Sequence, residues 1–225
     1  MTASSMVVAR AVDLGPGYVS LSTAIYGAFA ALVLGMARAY ALPTGGFGAA
    51  NRMTLARVVV ACLTGGLVLH VRGGGVEIVW VAVGGASFAA LLDGFDGWIA
   101  RRTGTASPFG ARFDMEADAL LIMLLAVLVW RLDKTGAWVL AAGFIRYGFV
   151  AATLLWPWLD DPLPPSRRRR AICALQMVAL SVCLAPPVSS GLATAIAATA
   201  VTALGWSFVL DIAWLTRNER TNRRS

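Results

Sequence analysis

The chain has 225 residues, 58% hydrophobic and 14% charged, with a net charge of +7 and a mean hydropathy of +0.72. That composition excludes a disordered or collagen-like chain and argues against a soluble globular domain. Three cysteines (Cys62, Cys173, Cys183) lie in apolar runs without CxxC spacing, which excludes a disulfide scaffold or zinc ribbon. Basic charge in so apolar a chain reads as the cytoplasmic loops of a membrane protein, so the partner is the lipid bilayer and not nucleic acid.

A bilayer-spanning helix needs about 20 mostly apolar residues. In chain order the candidates are 18–42, 53–71, 76–100, 115–131, 136–159, 171–185 and 190–216. The run 171–185 stops at Pro186-Pro187, so it borrows a turn from 167–170. The expected fold is all-α: a polytopic transmembrane bundle of six core helices with one additional N-terminal hydrophobic helix. The first run also has features of a signal peptide. Its length, Arg38 at the supposed cleavage point, and the stranding of Arg52 and Arg57 favour a membrane helix, with a re-entrant or interfacial helix as the alternative. The expected organisation is a tail and additional helix over 1–50, the core over 51–217, and a basic tail over 218–225.

Arginine placement orients the bundle. One set of core-helix ends carries fourteen arginines (Arg38, Arg52, Arg57, Arg101, Arg102, Arg112, Arg167 to Arg170, Arg217, Arg220, Arg223, Arg224) against Arg72, Arg131 and Lys134 on the other. The first set is expected to face the cytoplasm from the cell (inner) membrane. Trp80, Trp130 and Trp138 fall near the outer interface, Trp98, Trp156, Trp158 and Trp214 near the inner one.

Five of the twelve acidic residues lie within 26 positions: Asp93, Asp96, Asp114, Glu116 and Asp118. An acid in a membrane helix costs roughly 2.5–3.5 kcal/mol, and like charges together repel. Asp93 and Asp96 are spaced i,i+3, with Gly97 and Ala100 continuing their face; Gly110, Asp114 and Asp118 are spaced by four. Two antiparallel neighbours would thus each present a carboxylate pair, beside small residues that let a ligand approach the backbone. Glu116 points elsewhere and is expected to be solvated. At about 1.5 Å per residue from Val76, Asp93 lies roughly 25 Å along its helix, near the cytoplasmic edge of the hydrocarbon. Oxygen ligands select a hard ion, Mg²⁺ or Mn²⁺, and four carboxylates could hold two. Acids merely paired with Arg101, Arg102 and Arg112 are the blander alternative. An EF-hand is excluded, because Gly104 would fall where its bidentate Glu belongs.

The stretch Asp93-Gly-Phe-Asp96-Gly97-Trp-Ile-Ala100-Arg101, then eight residues, then Gly110-Ala-Arg-Phe-Asp114-Met-Glu-Ala-Asp118 resembles the CDP-alcohol phosphatidyltransferase signature D-x2-D-G-x2-A-R-x8-G-x3-D-x3-D at every fixed position. Upstream, Asn51, Thr54 and Arg57 are similar to the family's N-x-x-T-x-x-R opening. The resemblance implies a homodimeric membrane enzyme of phospholipid biosynthesis. It moves a phosphatidyl group from a CDP-linked lipid, usually CDP-diacylglycerol, to an alcohol acceptor, and CMP leaves. It also implies Asp93, Asp96 and Asp114 as metal ligands and Asp118 as ligand, general base or both. Gly97, Ala100, Arg101 and Gly110 would line the nucleotide site, with Thr54 and Arg57 nearby. A divalent-cation transporter is the competing reading, but transport sites tend to the midplane.

Arg146, about ten residues into its helix, must face a polar cavity. It would contact an anionic acceptor or a lipid phosphate, or else serve Asp211 or a backbone carbonyl as a structural partner. Arg167 to Arg170 anchor the inner face or bind a phosphorylated acceptor; at this point phosphatidylglycerophosphate synthases often carry G-K-x-K-T-x-x-Q, of which only Gln176 fits well here. Asp211 pairs, snorkels or touches substrate. His70 and the cysteines read as structural, and Gly65-Gly66 and Gly84-Gly85 as close helix packing.

Overall fold

The computed structural model describes residues 1–39, 48–103, 107–160, 163–164 and 166–222, without the side chains of 38–39, 49–50, 94–103, 154, 157, 160 and 220–222. It is all-α, with no strand among the described residues. The helices are α1 (Thr2–Ala11), α2 (Pro16–Ala39), α3 (Ala49–Gly66), α4 (Val76–Thr103), α5 (Pro108–Arg131), α6 (Ala141–Leu155), α7 (Arg167–Leu184) and α8 (Ser190–Asn222), with short 3₁₀ turns at 67–69, 137–140 and 157–160. The additional N-terminal helix is α2, and the six core helices are α3 to α8. α7 does take its first turn from Arg167 to Arg170. α1 is an addition the hydropathy pattern did not signal. It doubles back along α2, with Ala9 and Leu14 in the cluster of Tyr18 and Leu67 and with Met1 against that of Phe29.

Among the described residues, four stretches are long and apolar enough to cross a membrane: Pro16–Ala37, Asn51–Leu69, Val76–Asp93 and Ser190–Glu219. Large apolar side chains such as Leu34, Phe88, Leu91 and Trp206 are exposed on the outside of the bundle, which suits lipid contact better than water.

α3 is the central strut and packs against α2, α4 and α5. Close approach explains two of its neighbouring glycines. A Cβ on Gly66 would lie 2.0 Å from Ser22 Oγ of α2, and one on Gly85 of α4 would lie 2.2 Å from Thr64 Oγ1 of α3. Backbones that close gain dispersion energy where no hydrophobic drive separates helix from lipid. Ser22 Oγ donates to Tyr18 O at 2.8 Å and Tyr18 Oη to Leu63 O at 3.0 Å, so these buried hydroxyls are satisfied.

α4 and α5 touch each other little among the described residues; both dock on α3, and α7 contacts both. The two acid-bearing helices are therefore brought together by third parties, not by a shared seam. The reason is the alanine stripe Ala82, Ala86, Ala89, wholly buried on α4, which seats that helix on α3.

Candidate active site

Each acid is aimed by an apolar stripe one helical step away. On α4, Asp93 continues the line of Ala82, Ala86 and Ala89. On α5, Phe109, Phe113 and Ala117 are spaced by four and bury with Phe29 of α2 and Val58 and Cys62 of α3. That rotation turns the next residues round, Gly110, Asp114 and Asp118, toward Arg57 of α3. The first turn of α5 is well specified: Ser107 Oγ accepts from Gly110 N at 3.0 Å and Pro108 opens the helix. A Cβ on Gly110 would lie 2.8 Å from Asn51 Oδ1, so this glycine admits the start of α3. Asn51, Thr54 and Arg57 recur every third residue and are all buried.

Arg57 is 0% exposed, and three aspartates surround its guanidinium. Nη1 pairs with Asp93, and Nη2 lies 2.5 Å from Asp114 Oδ1 and 2.9 Å from Asp118 Oδ1. One oxygen from each of the three carboxylates lies within 4.8 Å of the others. Asp118 Oδ2 accepts from the Cys173 thiol of α7 at 3.4 Å, while Asp118 Oδ1 is buried against the Arg57 guanidinium. Three carboxylates against one guanidinium leave an excess of negative charge in a partly buried place, where it is costly unless a further cation balances it. The donors are carboxylate oxygens throughout, close enough together to share one ion. That set fits a hard divalent cation, and the three aspartates could hold one.

The CDP-alcohol phosphatidyltransferase family pattern matches residues 47–210, a span that contains every one of these groups. The chain belongs to that family. A relative from Rickettsia felis named CDP-diacylglycerol–glycerol-3-phosphate 3-phosphatidyltransferase is 32% identical over 108 residues. Those residues make 46% of this chain and 58% of the relative, so the chain spans less than two thirds of that protein's length. No solved structure matches. With its long apolar helices, this family member reads as a multi-pass membrane protein, and neither comparison supports a cation transporter.

Of the residues the resemblance singles out, the structure brings Asp93, Asp114, Asp118 and Arg57 together, with Thr54 and Gly110 one turn away on the same helices. Asp96, Gly97, Ala100 and Arg101 lie outside the described side chains. Arg57 lies at the site, with its guanidinium among the carboxylates. The composition-level alternative looked for partners only at Arg101, Arg102 and Arg112, the arginines nearest in sequence. Cys173 packs against the core, and its thiol also touches Asp118; no local signal links positions 55 residues apart.

Glu116 requires a correction. It does point away from the other acids, but it is 5% exposed, not solvated. It pairs with Arg146 Nη2 of α6, and Arg112 Nε lies 3.4 Å away. Two residues from Asp114 is roughly 200° around a helix, which puts Glu116 against α6. Arg146 is therefore the partner of Glu116, while Asp211 of α8 takes Arg168 at 2.5 Å and Arg169 at 3.3 Å. Arg167 and Arg170 remain exposed. His70 stands edge-on to Tyr18 at 6.3 Å, at the opposite end of the bundle.

Proposed function

We propose that the protein transfers a phosphatidyl group from CDP-diacylglycerol to an alcohol acceptor with release of CMP, in phospholipid synthesis. The observation that carries this reading is the convergence of three aspartates on one buried arginine inside the family-matched segment. Asp93, Asp114 and Asp118, with Asp96, would hold Mg²⁺ or Mn²⁺, two ions being the number four carboxylates suit. Metal bound there would neutralise the pyrophosphate and the charge developing on the departing CMP.

The chain's own residues do the rest. Arg57 keeps the acids close enough to act as one unit. Asp118 has its Oδ2 held by Cys173 and its Oδ1 turned inward, and it takes the proton of the acceptor hydroxyl. The acceptor oxygen then bonds to the lipid-bearing phosphorus, and the bond from that phosphorus to the CMP oxygen breaks. Thr54 and Gly110, with Gly97, Ala100 and Arg101, would line the nucleotide. The arginine count supports a cytoplasm-facing site at the inner leaflet of the cell membrane, and the family supports a homodimer.

For the acceptor we favour a phosphorylated alcohol. The relative's name specifies glycerol 3-phosphate. In this chain Arg170 sits one turn before Cys173 on α7 and is exposed, so a phosphate bound to it would leave a hydroxyl near Asp118. The test is CMP release from CDP-diacylglycerol by purified protein, with glycerol 3-phosphate, inositol phosphate, inositol, serine and choline in parallel. Release that needs a phosphorylated acceptor and falls at least tenfold in Arg170→Ala supports the reading. Release equal with neutral alcohols refutes the acceptor class, and no release with any alcohol refutes the transfer.

A further inference from the structure

A second polar cluster, Arg112, Glu116 and Arg146, lies on the far side of α5 from the aspartates. A cleft of about 390 Å³ opens there between α2, α5 and α6. One wall is apolar and flat: Ala31 and Gly35 of α2 lie one helical turn apart, and a Cβ on Gly35 would meet nothing within 4 Å. The other wall carries Arg112, Glu116 and Tyr147. Behind it, Arg146 closes on Glu116. Two guanidiniums on one carboxylate leave a net positive charge, with the Arg112 side chain 34% exposed. Arg146 Nε is buried and has no acceptor among the described residues, so the cluster also holds an unmet donor.

We propose that this cleft binds one anionic phospholipid, its phosphate on Arg112 and the Arg146 side of the cluster and its upper acyl segment along Ala31 and Gly35. The charge selects an anion, and the apolar wall of α2 selects an amphiphile over a free ion. Arg112 is one turn into α5, the depth of lipid phosphates if α5 enters the membrane at Pro108. The lipid is not the transferred one, because Glu116 faces away from Asp114 and Asp118. This inference requires only that the protein sits in a bilayer and stands apart from the transfer reaction.

Thermal unfolding of the whole protein in neutral detergent tests it, with phosphatidylglycerol, phosphatidylcholine or inorganic phosphate added. Phosphatidylglycerol is expected to raise the midpoint by roughly 3–5 °C more than phosphatidylcholine at equal mole fraction, with no rise from inorganic phosphate. Gly35→Leu, which fills the cleft, and Arg112→Gln, which cancels its charge, should each lose that excess, whereas Asp118→Asn should keep it. Should Gly35→Leu fail to fold, Arg112→Gln decides. An equal rise with phosphatidylcholine, a rise with phosphate alone, an excess that survives in Arg112→Gln, or its loss in Asp118→Asn would each overturn the proposal.

Discussion

The two ends of the bundle use charge in opposite ways. At the end bearing Leu67–Gly75, Arg131–Gly136 and Ala185–Ser189, the cations serve the backbone. Arg72 Nε donates to Arg131 O at 2.6 Å, Arg131 Nε to Val68 O at 3.3 Å, and Lys134 Nζ to the carbonyls of Ala185, Pro186 and Val188 after α7. The acid there, Asp133, is 75% exposed and pairs with Arg72. These contacts staple three connections and cap carbonyls that a helix end leaves open. At the aspartate cluster of the other end the acids outnumber their cation. Arg57 is wholly buried, yet it serves three carboxylates at once. Charge satisfied by backbone carbonyls is a fastener, whereas carboxylate charge left in excess is available to a ligand.

Mutation can break this contrast, most sharply at the acidic end. Asp118→Asn is expected to lower CMP release by about 10³-fold while CDP-diacylglycerol still binds, because loss of a proton acceptor costs about 10²–10⁴ in rate; near-wild-type turnover of purified variant would remove Asp118 from the chemistry. Chelation with EDTA should abolish release, and Mg²⁺ or Mn²⁺ should restore it; turnover that persists through exhaustive chelation contradicts an ion at the aspartates. Arg57→Leu should destabilise the fold by about 3 kcal/mol, since it strands neighbouring carboxylates. Added Mg²⁺ should recover part of that loss in a thermal melt, and no recovery would show that the acids do not share an ion. At the fastening end, Lys134→Met should cost about 1 kcal/mol through uncapped carbonyls and leave turnover untouched. Asp133→Ala should cost less than about 0.5 kcal/mol, as exposed pairs do. A larger activity defect from Lys134→Met than from Arg57→Leu would erase the distinction between the ends.

Much of this was legible in the sequence because its signals are local. Asp114 and Asp118 share a face since four residues is close to one turn. The arginine asymmetry reads out which ends lie together. Pro108 and Ser107 mark where α5 begins, and Pro186-Pro187 marks where α7 stops. The misreadings all concern partners distant in the chain. Glu116 looked solvated because nothing near it in sequence would bury it, and its cover is Arg146, 30 residues on. The contact of Arg57 with the acids left no local trace, because its motif lies 36 residues before Asp93. α1 gave no periodic signal strong enough to stand out from a tail.

By itself, then, the sequence determined the class of the protein and which acids cluster within its family-matched segment. Hydropathy fixes which segments leave water, and the spacing of acids fixes which of them share a helix face. Only the tertiary structure decided how those faces meet. α4 and α5 scarcely touch, and their carboxylates converge because alanine and phenylalanine stripes dock both helices on α3, which carries Arg57 between them. The physical reason is range. Helix formation depends on neighbours a turn or so apart, whereas the pairing of charges depends on packing between segments that the chain order leaves open.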